Sequence, residues 1–150
     1  MQTTIEKHIE LKAPVSRVWR ALTDYRQFGQ WFRVHLEDPF LAGKSTGGFI
    51  TCPGYEHLRM DVVVQKIEPE THFSFTWHPY GIDPKVDYSQ ETPTLVVFTL
   101  APTPTGTSLT IVESGFENLP PARLADAFRM NDQGWSQQLS NIEIYVTQTP

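Results

Sequence analysis

The first part of the chain shows a strand-like and then a helix-like pattern of hydrophobic positions. Apolar and polar residues alternate over residues 4–12, the period-two pattern of a strand with one buried face. Pro14 follows, where the first turn of a helix tolerates it, and apolar residues recur at i, i+3, i+4 and i+7 from Val15. Asp24 can cap a second helix that ends near Phe32. The pattern predicts one strand and then two consecutive short helices.

Short strand patterns, separated by Gly and Pro, follow over the middle of the chain. The candidate strands are residues 33–37, 48–52, 58–68, 72–78, 94–101 and 107–115. Pro102, Pro104 and Gly106 leave so short a link between the last two strands that these can pair only antiparallel. Segment 79–91 has no periodicity, and we expect it to be either a functional lid or a mobile surface loop.

One apolar stripe of helical spacing occupies the C-terminal part, beyond Pro120 and Pro121. Its members are Leu124, Phe128, Trp135, Leu139, Ile142 and Val146. Gly134 interrupts the stripe, either for a close backbone approach to the sheet or to leave room beside the helix. A single long helix of this kind must be covered by a curved sheet. We therefore predict an α+β fold, in which six or seven antiparallel strands wrap the C-terminal helix and leave an apolar cavity between sheet and helix.

Composition narrows the class of protein. The 150 residues, of which 39% are hydrophobic, predict one folded domain over residues 1–150. A formal charge of -5 without a basic stripe argues against nucleic-acid binding. The single cysteine, Cys52, excludes a disulfide framework, and charges within residues 1–12 leave no signal-peptide core. No apolar run is long enough to insert into a membrane. We expect a cytoplasmic protein.

Several segments resemble, in order and spacing, the START-like (SRPBCC) superfamily. Among its families the chain is most similar to the one named for the activator of the heat-shock protein 90 ATPase. The matching pieces are Ala13 to Asp24 with Trp31, Ile67-Glu68-Pro69 before Phe73 to Trp77, Phe98 to Leu100, Leu109 to Phe116, and Gly134-Trp135. The resemblance covers essentially the whole chain. It implies a helix-grip fold around an apolar cavity, in a superfamily whose members include lipid or polyketide binders, cyclases, resistance proteins and co-chaperone domains.

Glu113 is the most informative single position. If Leu109 and Ile111 face the helix, the period of two places Glu113 inside as well, near the open end of the cavity. A carboxylate there needs hydrogen-bonding partners, and it could anchor a ligand or act as a general base. The alternatives are a bulge after Val112 that turns Glu113 to solvent, or a structural ion pair with an arginine.

Aromatic residues are frequent at positions expected to face the cavity. They either fill it as ordinary core or line a pocket that stacks a flat apolar ligand. With Glu113, the candidate ligand-binding residues are Trp31, Phe32, Phe49, Phe75, Trp77, Tyr80, Phe98, Phe128 and Trp135.

Catalytic motifs are weak. His57 lies beside Glu56 and could move a proton near a cavity mouth, while His72 and His78 fit an exposed polar face. The histidines lack metal-binding spacing and no cofactor motif occurs, so we predict neither a metal nor a cofactor. We expect Cys52 to be a buried thiol without reactivity.

These patterns, together with the family resemblance, leave three functions open. The first is binding of a small hydrophobic or aromatic molecule between sheet and helix, with its polar end directed at Glu113 or Tyr80. The second is a cyclase or hydrolase in which Glu113 or His57 acts as acid or base. The third is a protein-interaction domain that contacts a chaperone or a second copy of the chain.

Overall fold

The described residues form seven strands and three α-helices, in an order close to the predicted one. The computed structural model describes residues 3–148 apart from 82 and 84. The elements are β1 (Ile5–Leu11), α1 (Val15–Thr23), α2 (Tyr25–Phe32), β2 (Val34–Leu36), β3 (Ser45–Ile50), β4 (Arg59–Glu68), β5 (His72–Trp77), β6 (Thr94–Thr103), β7 (Gly106–Ser114) and α3 (Pro121–Gln148). Short 3-10 helices cover Tyr88–Gln90 and Phe116–Asn118.

The seven strands form one antiparallel sheet in the order β1-β7-β6-β5-β4-β3-β2. Each strand from β2 to β6 pairs with the next in sequence, and β1 pairs with β7. The long helix α3 buries Ala127, Trp135, Ile142 and Val146. The predicted α+β helix-grip architecture is therefore confirmed. None of the described helices is long and apolar enough to cross a membrane.

The two short helices begin and end as their sequence predicts. The Asp24 carboxylate accepts hydrogen bonds from the backbone N–H groups of Arg26 at 2.9 Å and Gln27 at 3.3 Å, which confirms it as the cap of α2. The Trp31 indole donates to the backbone oxygen of Ala21 at 2.7 Å and so ties α2 to α1. Trp19, by contrast, is only partly buried against the core.

Strand β3 begins three residues earlier than the predicted strand 48–52. Its glycines, typical of a turn, lie inside the strand because β2 and β3 approach closely there. A Cβ atom on Gly48 would overlap the carbonyl oxygen of His35, so only glycine fits. This register also turns Phe49 to the outer face of the sheet, where it pairs with Arg59 and is 53% exposed.

Two predicted regions extend beyond the described part of the chain. Segment 79–91 contains residues 82 and 84, and the predicted domain 1–150 includes residues 1, 2, 149 and 150, all outside the described residues.

Candidate functional site

The carboxylate of Glu113 lies inside the fold, as its strand parity predicts. On β7 it shares the inward face with Leu109 and Ile111, and it pairs with Ile5 of β1 and Val96 of β6. The residue is 0% exposed. The alternative in which a bulge turns Glu113 to solvent is wrong, because β7 keeps its register through Ser114.

Four side chains donate hydrogen bonds to this carboxylate. Oε1 accepts from Trp135 Nε1 at 2.8 Å and from Asn131 Nδ2 at 2.9 Å. Oε2 accepts from Thr94 Oγ1 at 2.6 Å, Trp77 Nε1 at 2.8 Å and Asn131 Nδ2 at 3.1 Å. Both oxygens are thereby paired, although the residue has lost all contact with water.

All four donors are neutral, which distinguishes this site from a buried salt bridge. No ion pair within the described residues includes Glu113, so the alternative of a structural bridge to arginine is wrong as well. Neutral donors offset part of the cost of removing a carboxylate from water, and each donor is oriented by that bond in turn. Glu113 therefore fixes the positions of two indole rings and one amide.

Behind this polar cluster, the interior between the sheet and the helices is filled by phenylalanine. Phe28, Phe73, Phe75 and Phe98 are each 0% exposed. Ring centroids lie 5.8 Å apart for Phe73 and Phe98, 5.9 Å for Phe75 and Phe98, and 6.5 Å for Phe28 and Phe75. These distances are those of packed aromatic pairs. The centre of the predicted cavity is therefore occupied by side chains.

Space remains beside Trp77 and Asn131, where two clefts have one wall in common, and we call this region the mouth. The helix cleft, of about 170 Å³, is lined by Phe32, Trp77, Asn131, Gly134, Trp135 and Gln138. The loop cleft, of about 210 Å³, is lined by Phe32, Ile50, Leu58, Arg59, Met60, Asp61, Trp77, His78, Pro79, Tyr80, Gly81 and Asn131. Phe32, Trp77 and Asn131 line both clefts. Two of these three side chains are held by Glu113.

The helix cleft exists because α3 presents small and polar residues there. Asn131, Gly134, Trp135 and Gln138 follow the i, i+3, i+4, i+7 spacing of one helix face. A Cβ atom on Gly134 would meet nothing within 4 Å. Of the two interpretations of this glycine, the structure supports the one in which it leaves room beside the helix.

A guanidinium group fixes the wall of the loop cleft. Arg123, near the start of α3, donates from Nη1 to the backbone oxygen of Tyr80 and from Nη2 to that of Pro79, both at 2.9 Å. Its Nε and Nη2 also bond the Glu91 carboxylate at 2.9 and 2.7 Å. The guanidinium carbon lies 4.6 Å from the ring centroid of Tyr88. One side chain thus joins both ends of segment 79–91 to α3.

The candidate aromatic residues divide into three groups. Phe32, Trp77, Tyr80 and Trp135 line the clefts. Trp31, Phe75 and Phe98 are buried in the packed core. Phe49 and Phe128 lie away from the clefts: Phe128 packs on Phe116 with centroids 5.2 Å apart. The prediction that Phe49 faces the interior is wrong, because the register of β3 turns it outward, 5.5 Å from the Arg59 guanidinium carbon.

The candidate acid-base pair does not form a site. Glu56 and His57 are both exposed, and neither lines the clefts. The Glu56 carboxylate accepts the backbone N–H of Gly54 at 2.7 Å. Backbone hydrogen bonds, first its own and then that of Gly54, hold the pKa of Glu56 below its usual value. Cys52 is partly exposed, not buried. No group of side chains suited to a metal occurs within the described residues.

Four residues of the clefts and their walls were not predicted as site residues: Asn131, Gln138, Arg123 and His78. The first two interrupt the apolar stripe of α3 at helical spacing around Trp135, a pattern that could have identified them. The prediction that His78 lies on an exposed polar face is wrong: β5 ends at Trp77, and His78 lines the loop cleft.

The curved sheet around α3, with a cleft between them, defines a START-like (SRPBCC) domain. More narrowly, the chain belongs to the family described as Activator of Hsp90 ATPase homolog 1-like protein, whose sequence profile matches residues 12–147. No curated protein matches the chain.

Solved structures similar to the chain agree with this assignment. Protein MLL2253 from Mesorhizobium loti is 27% identical with a TM-score of 0.77, and the match covers 98% of each chain. DynU16, a putative protein in the dynemicin biosynthetic locus, is 26% identical with a TM-score of 0.75, over 98% of this chain and 48% of its own. The Aha1 dimer from Colwellia psychrerythraea is 17% identical with a TM-score of 0.73, over 97% and 96%, and shares the fold.

Proposed function

We propose that this domain binds a small, flat apolar molecule at its mouth, with the ring against Phe32, Trp77 and Trp135. The observation that carries the proposal is the pair of open clefts whose shared aromatic wall is held in place by a buried carboxylate. An apolar cavity of roughly 150 Å³ accepts benzene. Clefts of about 170 and 210 Å³ therefore suit one ring each.

In this proposal Glu113 is a positioning residue and does not contact the ligand. It lines neither cleft, and both its oxygens are already paired. Its role is to hold Trp77, Trp135 and Asn131 in one arrangement before the ligand arrives. A preorganised wall lowers the entropy lost on binding.

Binding is better supported than proton transfer. A general base needs a free lone pair within reach of substrate, and Glu113 offers none in this arrangement, while His57 is exposed and away from the clefts. Contact with a chaperone, formation of a homodimer, a cytoplasmic location and function as a single domain remain predictions from the sequence and the family resemblance.

The test is a titration of ¹⁵N-labelled protein with toluene, followed by NMR. We expect the indole N–H signals of Trp77 and Trp135 to shift and saturate at about one or two ligands per chain. Gly134→Leu places a side chain into the helix cleft and should abolish the shifts of Trp135. The matched control is Ser136→Leu, an exposed position on the same helix, which should bind toluene as the unchanged protein does.

One titration result would contradict the proposed ligand site. If toluene and similar single-ring compounds shift no cleft signal in the unchanged protein, the clefts are not ligand sites. A mass spectrum of the native protein, purified from its own host, provides an independent measurement, because a bound small molecule would add its mass.

A further inference from the structure

His78 carries a polar atom that the protein leaves unpaired. Its Nδ1 is buried, yet it has no hydrogen-bond partner within the described part of the chain. Buried polar atoms are nearly always paired, and those that are not often mark a functional position. The residue directly follows β5 and forms part of the wall of the loop cleft, next to Trp77 and Pro79.

The chemistry of imidazole limits which ligand group would satisfy this atom. A ring nitrogen of a neutral histidine is a donor in one tautomer and an acceptor in the other. A hydroxyl both donates and accepts, so it fits either tautomer, whereas a carbonyl oxygen fits only one. Rotation about the bond between Cβ and Cγ exchanges Nδ1 with a carbon atom, so the nitrogen can turn without breaking a hydrogen bond to the described residues.

The charges around the mouth disfavour an anionic ligand. Arg59, the cationic residue that lines the loop cleft, already bonds Asp61 at 3.0 Å and Glu37. The Glu113 carboxylate lies one side chain behind the wall formed by Trp77 and Asn131. A second negative charge placed against that wall would be repelled, and the one arginine among the described lining residues is already paired with carboxylates.

We propose that the ligand is a neutral hydroxylated aromatic molecule, with its ring on Phe32 and Trp77 and its hydroxyl hydrogen-bonded to His78. This proposal rests on the proposed function and adds to it the polar group of the ligand and the residue that recognises it. The apolar rings provide affinity, while His78 distinguishes a phenol from the corresponding hydrocarbon.

Three probes and three variants test the proposal. The probes are 4-methylphenol, toluene and 4-methylbenzoate, which share a ring and a methyl group and differ in the polar end. The variants are His78→Phe, His78→Gln, which keeps a hydrogen-bonding group, and the control His72→Phe at the other end of β5. The dissociation constant of each probe for the unchanged protein and for each variant is measured by NMR titration.

We expect the unchanged protein to bind 4-methylphenol about fivefold more tightly than toluene, the effect of roughly one neutral hydrogen bond. His78→Phe should remove that preference and leave toluene affinity equal or higher. His78→Gln should keep part of it, and His72→Phe should keep all of it. 4-Methylbenzoate should bind more weakly than either neutral probe.

Different outcomes overturn different claims. If toluene and 4-methylphenol bind equally, or if His78→Phe weakens both to the same extent, recognition by His78 is wrong while the apolar site stands. Tighter binding of 4-methylbenzoate than of 4-methylphenol would overturn the neutral ligand class. If no probe shifts a cleft signal in the unchanged protein, the proposed function itself fails.

Discussion

The interior has two halves that are packed differently, one with phenylalanine rings and the other around a buried carboxylate. Towards β4, β5 and β6, rings fill the space: Phe73, Phe75 and Phe98 pack on one another with centroids 5.8–5.9 Å apart. Towards the mouth, one carboxylate and four donors take their place, and the rings of Trp77 and Trp135 pack around it with centroids 5.7 Å apart.

The difference between the halves indicates that one of them mainly stabilises the fold and the other carries a function. A phenylalanine cluster is stabilised by burial alone and tolerates many apolar substitutes. A buried carboxylate costs free energy and specifies the orientation of every donor around it. The buried carboxylate of Glu113 lies where the two clefts open. We therefore assign the function to the mouth and the stability to the phenylalanine half.

The largest effect is expected from removal of Trp135. Trp135→Ala deletes a ring that is 2% exposed and one hydrogen bond to Glu113, so the free energy of unfolding should fall by about 3–5 kcal/mol. Phe98→Ala, in the phenylalanine half, should cost a similar amount from packing alone. Urea denaturation followed by circular dichroism measures both. A loss below about 1 kcal/mol for Trp135→Ala would mean that the ring is not part of the core.

The next effect is expected at the carboxylate. Glu113→Gln keeps the shape but turns an N–H group towards donors, so at least one indole or hydroxyl loses its acceptor and stability should fall by about 3 kcal/mol. Ligand affinity should fall with it, because Trp77 and Asn131 are no longer held. Glu117→Gln, at an exposed position, is the matched control. Equal unfolding curves for the two variants would contradict the polar cluster.

A smaller loss of stability is expected when a single indole hydrogen bond is removed, at the mouth or in the packed core. Trp77→Phe removes a donor to a carboxylate, whereas Trp31→Phe removes one to the backbone oxygen of Ala21. Hydrogen bonds to charged groups contribute more, so we expect losses of about 2 and about 1 kcal/mol, respectively. Denaturation curves in parallel provide the difference. If Trp31→Phe proves the more destabilising, the carboxylate is not the stronger acceptor.

The smallest effect has the opposite sign. Gly134→Ala should stabilise the protein by about 1 kcal/mol, because alanine favours the helix and its Cβ meets open space. The same methyl group narrows the helix cleft and should weaken toluene binding. Thermal melting and NMR titration measure the two changes, with Ser136→Ala as the control on α3. A stabilised variant with unchanged affinity would place the ligand outside the helix cleft.

Local pattern predicted most of the fold because each element carries its own signal. The alternation in β1, the cap at Asp24 and the stripe of α3 each depend on residues close in sequence. The parity of β7 also placed Glu113 correctly. The start of β3 was wrong because Gly48 serves a contact with His35 on another strand, and glycine carries no side-chain pattern that reveals it.

The site was harder to predict because its residues meet only in three dimensions. Trp77, Thr94 and Asn131 come from β5, β6 and α3, and nothing in the sequence ties one to another. Whether the cavity is filled depends on how large side chains from several elements interlock. Periodicity shows which residues face inward, but it does not show how much space they leave.

The attachment of segment 79–91 by Arg123 has a consequence for selectivity. The backbone oxygens of Pro79 and Tyr80 are bonded to the same guanidinium as the Glu91 carboxylate. A displacement of Pro79 or Tyr80 that moves Arg123 therefore also breaks the hydrogen bonds to Glu91. A rigid wall rejects a molecule that is one methyl group too large instead of adapting to it. Across a series of para-alkylphenols, affinity should therefore rise with chain length and then drop abruptly at one added carbon.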